Sequence, residues 1–239
     1  MTPALSIVFP VYREGPGVLR HLDKILRAVP VPHEILAVVD LDDDPTLPPL
    51  REWERLHPHL KIVRNAYGRG ALKAIRTGIE YASAPRILVM MSDGSDDPRT
   101  IGAMLSALDA GGACVAASRY MNGGRQVGAE GLKRAMSFTA GRLLPILTGV
   151  PIHDPTNAFK MYRREWLERF PIQSDGGFEY SLELVLRIHA AGGRVVQVPT
   201  TWRGRTEGAS NFRLASWLPK YLRWYLLGVA WRLRRLLVG

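Results

Sequence analysis

The sequence predicts an α/β protein with a mostly parallel central sheet flanked by helices. Short runs rich in Val, Ile, Leu and Ala alternate with helical patterns along most of the chain. The apolar runs are nearly continuous rather than alternating, as in strands covered on both faces. Repeated β–α succession folds into right-handed crossovers around a parallel sheet. In such sheets ligands bind beyond the carboxyl ends of the strands.

The strands are expected at ALSIVFP (4–10), EILAVVD (34–40), LKIVR (60–64), RILVMM (86–91), ACVAAS (113–118) and RVVQVP (194–199). Helices are expected at GVLRHLDKILRAV, LPPLREWERL, RGALKAIRTGIEYA, PRTIGAMLSALDA and EYSLELVLRIHAAG, the last stopped by Gly192 and Gly193. Residues 119–157 are less regular and richer in glycine, and read as a mobile excursion over one face. Two segments follow: a domain over 1–211, and a basic amphipathic helical segment over 212–239.

Composition narrows the function. With 46% hydrophobic and 23% charged residues, the 239-residue chain is globular rather than disordered. Its single cysteine, Cys114, rules out an internal disulfide and reads as a small apolar filler, which fits a reducing, cytoplasmic setting. The N-terminus lacks a basic n-region and a cleavage site, so it reads as a strand and not a signal peptide. No charge-free apolar run approaches the roughly 20 residues of a spanning helix.

The net charge of +10 is uneven. Residues 200–239 hold eight Lys and Arg against Glu207 alone, while the rest holds 24 against 21. A near-neutral body argues against nucleic acid as a partner. A basic tail with Trp217, Tyr221, Trp224, Tyr225 and Trp231 among leucines reads as a helix lying on an anionic membrane surface, peripheral on its cytoplasmic face. A helix packed on the domain, or one that mediates homo-oligomer contacts, is the alternative.

The chemistry-bearing residues sit at the expected strand ends. Asp40, in VVDLDDDPT, could accept hydrogen bonds from a base or ribose, while Asp42, Asp43 and Asp44 read as turn and cap residues. RNAYGRGALKAIRTG looks like a glycine loop opening a helix: Gly68 and Gly70 permit close approach, and Arg69 and Lys73 add charge suited to a diphosphate. In MSDGSDD, Asp93 is the first carboxylate after a strand and a candidate ligand for Mg2+ or Mn2+. Asp96 and Asp97, ahead of Pro98, read as caps. Arg119, Lys133, Arg134, Ser137, Arg203 and Arg205 supply loops suited to phosphates. His153 and Asp154 are adjacent, but neighbours in sequence seldom face each other as a dyad.

Taken in order, these motifs resemble family 2 glycosyltransferases of GT-A fold, and among them the dolichyl- and polyprenyl-phosphate sugar transferases. The likeness spans about residues 4–225. It rests on SIVFPVYREGPGV, VVDLDDDPT, NAYGRGALKAIRTGIEYA, SRYMNGG, HDPTNAFKMYRR and GFEYSLELVLRIHAAGGRVVQVPTTWRGRTEGAS. Four positions depart from the family pattern: Arg13 stands where Asn is usual, Leu41 and Met91 where Asp is, and Asn211 where Lys often follows Ser210. Many relatives carry spanning helices that this chain lacks, which leaves room for a membrane-protein partner.

The resemblance implies inverting transfer of a sugar from a nucleotide-diphosphate sugar donor to a polyprenyl-phosphate acceptor. Pro10, Tyr12, Glu14, Asp40, Gly70, Lys73 and Asp93 would bind the donor, and Asp93 the metal. Arg119, Lys133, Ser137 and Arg205 would meet phosphates. A soluble or glycan acceptor, and a non-catalytic relative, are the competing expectations.

Overall fold

A computed structural model describes residues 2–128, 131–204 and 214–238. Its core is a seven-stranded sheet. Strands β1 (Leu5–Val11), β2 (His33–Val39), β3 (Leu60–Arg64), β4 (Arg86–Val89), β5 (Cys114–Ser118), β7 (Lys160–Arg163) and β8 (Val195–Pro199) are ordered β3-β2-β1-β4-β7-β5-β8. All pairings are parallel except those of β7, which runs antiparallel between β4 and β5. A small parallel pair, β6 (Arg125–Val127) and β9 (Thr201–Arg203), lies outside it.

Helices cover both faces. α1 (Gly17–Ala28), α2 (Leu47–Leu56) and α4 (Ile101–Asp109) bury Leu22, Leu50 and Met104 on one side. α3 (Ala71–Tyr81), α6 (Arg164–Arg169) and α7 (Tyr180–Ala190) bury Ile75, Leu167 and Leu184 on the other. Continuous burial along β1 and over Glu34–Val39 of β2 is why those runs read as unbroken apolar stretches.

The predicted strands all form, with ends shifted by one or two residues. The excursion reading of 119–157 is corrected: within it lie β6 and an 18-residue helix, α5 (Gly131–Thr148). β7 and α6 also escape the apolar pattern. The last helix, α8 (Leu214–Val238), packs on α5 and α7. Gly228 makes this close approach feasible, because a Cβ there would stand 2.6 Å from Leu186 Cδ2. Arg232 donates to the carbonyls of Pro145 and Ile146, and Arg235 to those of His189 and Ala190. Two arginines therefore cap the C-terminal ends of α5 and α7, where carbonyls lack helical donors.

One buried carboxylate ties the sheet together below the rim. Glu34 accepts from Ser6 Oγ (2.7 Å), Lys61 Nζ (2.7 Å), Ser83 N (2.7 Å) and Ser83 Oγ (2.6 Å). Burial works against its ionisation, but the hydrogen bonds from Lys61, Ser83 and Ser6 prevail and hold it down to about 2. A depressed carboxylate stabilises the fold above its unfolded pKa and loses that contribution as pH falls through the folded one. Glu34→Gln is expected to cost on the order of 2 kcal/mol near neutral pH. Urea denaturation from pH 5 to pH 2 should show the stability difference between wild type and variant shrinking as Glu34 takes up its proton.

Candidate active site

The chain passes from β1 to β2 and β3 on one side, then returns to β4 on the other side of β1. That reversal opens a crevice at the carboxyl ends of β1 and β4, where open α/β sheets bind ligands. Pro10, Tyr12 and Glu14 leave β1 there, and Ser92 and Asp93 leave β4. Ser92 Oγ donates to the Pro10 carbonyl (2.7 Å) and stands 3.5 Å from Glu14 Oε1.

The β1 loop is anchored by the turn after β2. Arg13 N donates to Asp44 (2.8 Å), while Glu14 N and Gly15 N donate to Thr46 Oγ1 (2.9 and 3.0 Å). Arg13 sits at φ 54°, the left-handed region that Asn tolerates better than Arg. Asp44 holds that backbone through the Arg13 amide.

Asp40 lines a cleft of about 300 Å³ with Arg64, Asn65, Gly68 and Arg69. Its carboxylate accepts from Asn65 Nδ2 (2.7 Å) and from Gly70 N (2.8 Å). Asp40 therefore fixes the glycine loop, and the Gly70 amide is directed at Asp40 rather than outward. Lys73 is exposed one turn into α3, beside Gly68.

At the end of β4, Asp93 is half-buried and accepts from Ser95 N (3.0 Å). Asp96 is buried and accepts from Met91 N (3.1 Å). Burial, and then the charge on Asp93, push the Asp96 carboxyl up to about 7. Asp97 caps the 3-10 turn over Pro98–Thr100 through Arg99 N, as its position before proline suggests. Among the described residues no three His, Cys, Asp or Glu side chains are grouped to hold an ion alone. One carboxylate completed by donor phosphates and water suits Mg2+ or Mn2+, and a cation beside Asp93 would offset the like charge that lifts Asp96.

An arginine paired with a buried carboxylate lies close enough to this acidic rim for its charge to act on Asp96. Arg119, at the end of β5, meets Asp154 side-on: Nε to Oδ2 at 2.7 Å and Nη2 to Oδ1 at 2.8 Å. Its backbone amide also donates to Asp154 Oδ2 (2.9 Å). Nη2 reaches Thr156 Oγ1 (3.1 Å) and Ser137 Oγ (3.4 Å), and those two hydroxyls pair at 2.8 Å. The Tyr120 and Trp202 rings stack near the guanidinium, at 4.9 and 5.8 Å. Ser137 arrives on α5, which crosses close to the Asp154 loop; a Cβ on Gly141 would strike the His153 carbonyl.

The sequence-predicted residues thus divide into two groups around one rim: Pro10, Tyr12, Glu14, Asp40, Gly70, Lys73 and Asp93 on one side, Arg119 and Ser137 on the other. The side chain of Lys133, and Arg205 altogether, lie outside the described residues. His153 turns away to Gln197 (2.8 Å), so no His–Asp dyad forms. Asp154 and Thr156 are the residues that sequence reasoning missed. DPTN was legible as a motif, but nothing in it points to an arginine 35 positions earlier.

The fold is of GT-A architecture. The chain belongs to glycosyl transferase family 2, whose pattern matches residues 6–170. It is 29% identical over 234 residues to a polyprenol monophosphomannose synthase of Mycolicibacterium smegmatis, covering 90% of this chain and 87% of that one. It is 26% identical over 216 residues to an undecaprenyl-phosphate mannosyltransferase of Micrococcus luteus, covering 85% of each. Among solved structures, glucosyl-3-phosphoglycerate synthase of Mycobacterium tuberculosis, with Mn2+, UDP-glucose and phosphoglyceric acid, superposes with a TM-score of 0.70 at 16% identity, covering 95% of this chain and 80% of that one. A Pyrobaculum calidifontis mannosyltransferase with GDP-mannose and Mn2+ gives 0.64 at 18%, over 95% and 64%.

Proposed function

We propose that this enzyme transfers a sugar, with inversion, from a nucleotide-diphosphate sugar to a polyprenyl phosphate at an anionic membrane surface. One observation carries the reading: α5 joins the surroundings of both ends of one acceptor, its phosphate and its lipid tail. It brings Ser137 to the Arg119 cluster, and it leaves Leu143, Ile146 and Leu147 exposed. A phosphate held at Arg119 would have its lipid tail beside an apolar surface. The names of the two relatives support this acceptor class.

An acceptor phosphate is already an anion, so the site needs no strong general base. Its work is to hold two phosphorylated groups in line and to balance charge on the leaving diphosphate. In this reading Tyr12, Glu14 and the Asp40 cleft would take the nucleoside, and Asp93 the diphosphate end. Arg119 and Ser137 would take the acceptor phosphate. A divalent cation at Asp93 would supply charge to the diphosphate as it leaves.

The exposed apolar surface extends onto α8. At about 100° per residue, Leu218, Leu222, Leu226, Leu233 and Leu236 share one face. All five are exposed, opposite the buried Trp224 and Gly228. Neither α5 nor α8 contains an acidic residue, while together they hold eight Lys and Arg. No described helix is long and apolar enough to cross a membrane. This combination suits a surface lying in the headgroup layer. Leu222→Glu with Leu226→Glu is expected to weaken binding to phosphatidylglycerol vesicles by about tenfold or more, since each buried leucine contributes about 1.5–3 kcal/mol. Sedimentation with those vesicles, and with neutral phosphatidylcholine ones, measures it; equal binding by variant and wild type would remove the membrane reading.

The function itself is tested by offering radiolabelled nucleotide sugars, one at a time, with polyprenyl phosphate, with Mg2+ or Mn2+ and with chelator. Cation-dependent formation of a lipid-linked sugar is the expected result. Transfer only to a soluble or glycan acceptor would replace the lipid.

A further inference from the structure

Lys160 lies in the interior strand β7 with no exposed surface. Burying an ammonium group is costly, and a lysine in mid-sheet calls for a reason. Its hydrogen-bond acceptors are neutral, although the nearby charges of Asp154 and Asp96 favour the ammonium. Nζ donates to the carbonyls of Asp154 (3.3 Å), Pro155 (3.2 Å) and Asn157, and to Ser181 Oγ on α7 (2.6 Å). Ser181 Oγ in turn contacts the Pro155 and Asn157 carbonyls (3.1 and 2.9 Å). Burial pulls the amine down to about 8.

Three carbonyls from four consecutive residues thus converge on one internal cation. With its carbonyls drawn inward, the segment 154–157 presents the Asp154 carboxylate and the Thr156 hydroxyl to Arg119. Asn157 pins the far end to the sheet, donating from Nδ2 to the Ala117 carbonyl (2.9 Å). A loop of this shape has no helix or strand ladder to satisfy its carbonyls; the ammonium does so instead.

We propose that Lys160 is the positioning residue of the acceptor site, an internal cation that shapes residues 154–157 so that Asp154 and Thr156 hold Arg119 ready for a phosphate. The inference rests on the acceptor reading above and adds the group that organises it. Lys160 touches no substrate. A methionine of similar length would fill the space yet leave the carbonyls without a donor.

The test combines a ligand with a probe that needs none. Lys160→Met is expected to lower affinity for farnesyl phosphate by about 10- to 100-fold, as for other groups that orient a ligand-binding residue. Affinity for the nucleoside diphosphate should be unchanged. Amide exchange should quicken over 154–159 and at 119, with the remaining sheet still protected. In an Asp154→Asn background the Lys160 change should add less than about twofold, because groups acting through one another are not additive. Should Lys160→Met fail to fold, Ser181→Ala removes one partner of the ammonium and takes its place in the same cycle. Unchanged farnesyl phosphate affinity, additive losses, or protection lost evenly across the domain would overturn the proposal. Local quickening in a protein whose wild type binds no farnesyl phosphate would uphold the positioning role and reject the acceptor reading.

Discussion

Asp154→Asn is expected to reduce transfer by about 10²- to 10³-fold, the range for losing a preorganised electrostatic group, and to destabilise the fold by about 3–5 kcal/mol, as for breaking a buried ion pair. The size follows from the geometry. Asp154 is fully buried and meets both Nε and Nη2 of an arginine whose side chain is 10% exposed. Asparagine keeps the shape but removes the charge. Its amide also points a donor, or a single neutral oxygen, at a guanidinium that has only donors. The arginine would then swing toward solvent and away from Ser137 and Thr156. A control separates stability from function. Arg119→Met with Asp154→Leu removes both charges and should recover much of the stability, since apolar replacement of a whole buried pair is often neutral or better. It should recover no transfer. Urea denaturation reads the first effect, and kcat and KM for the acceptor read the second. A double variant that transfers sugar normally would reduce the Arg119 cluster to a structural brace.

The parts of this protein that were legible in its sequence are those whose physics is local. β1 and β2 carry unbroken apolar patterns because the sheet is covered on both faces, and α3 a periodic one because it packs on one of them. Asp40 and Asp93 could be placed at the rim because they follow the apolar runs of β2 and β4 closely. β7 could not: KMYR reads as mixed polarity, since Lys160 is buried with carbonyls of a neighbouring loop for partners. α5 was hidden for the opposite reason, as Phe138, Leu143, Ile146 and Leu147 face outward and blur its periodicity. Arg119 and Ser137 were singled out in the sequence, but their contact with each other and with Asp154 and Thr156 was not legible there. Asp154, Thr156 and Ser137 reach Arg119 only once β7 is inserted antiparallel between β4 and β5 and α5 has crossed the same end of the sheet.

Asp93→Ala is expected to have two opposite effects. Cation-stimulated transfer should fall by about 100-fold or more, close to 3 kcal/mol of lost transition-state stabilisation. Met91 stands where the family pattern has its other strand-end carboxylate, so Asp93 is the first carboxylate that the end of β4 offers. The cation-free protein, however, should become more stable at neutral pH. Asp96 is pushed up to about 7 by burial and by Asp93, so the folded state holds that proton more tightly than the unfolded chain. Ionising it therefore works against folding, increasingly from about pH 4 up to about pH 7. Removing the Asp93 charge lowers the folded pKa of Asp96 and relieves part of that penalty. Thermal unfolding at pH 5 and pH 7.5, with and without Mn2+, tests both signs. The wild type should gain from Mn2+ in the presence of nucleoside diphosphate and the variant should not. The variant's advantage without cation should be larger at pH 7.5 than at pH 5. An Asp93 variant that is both less stable and still stimulated by Mn2+ would mean that the carboxylate serves its own turn through Ser95, and that the cation is held elsewhere. The two effects together would describe a strand end where repulsion between Asp93 and Asp96 is tolerated in the cation-free protein because a cation would relieve it.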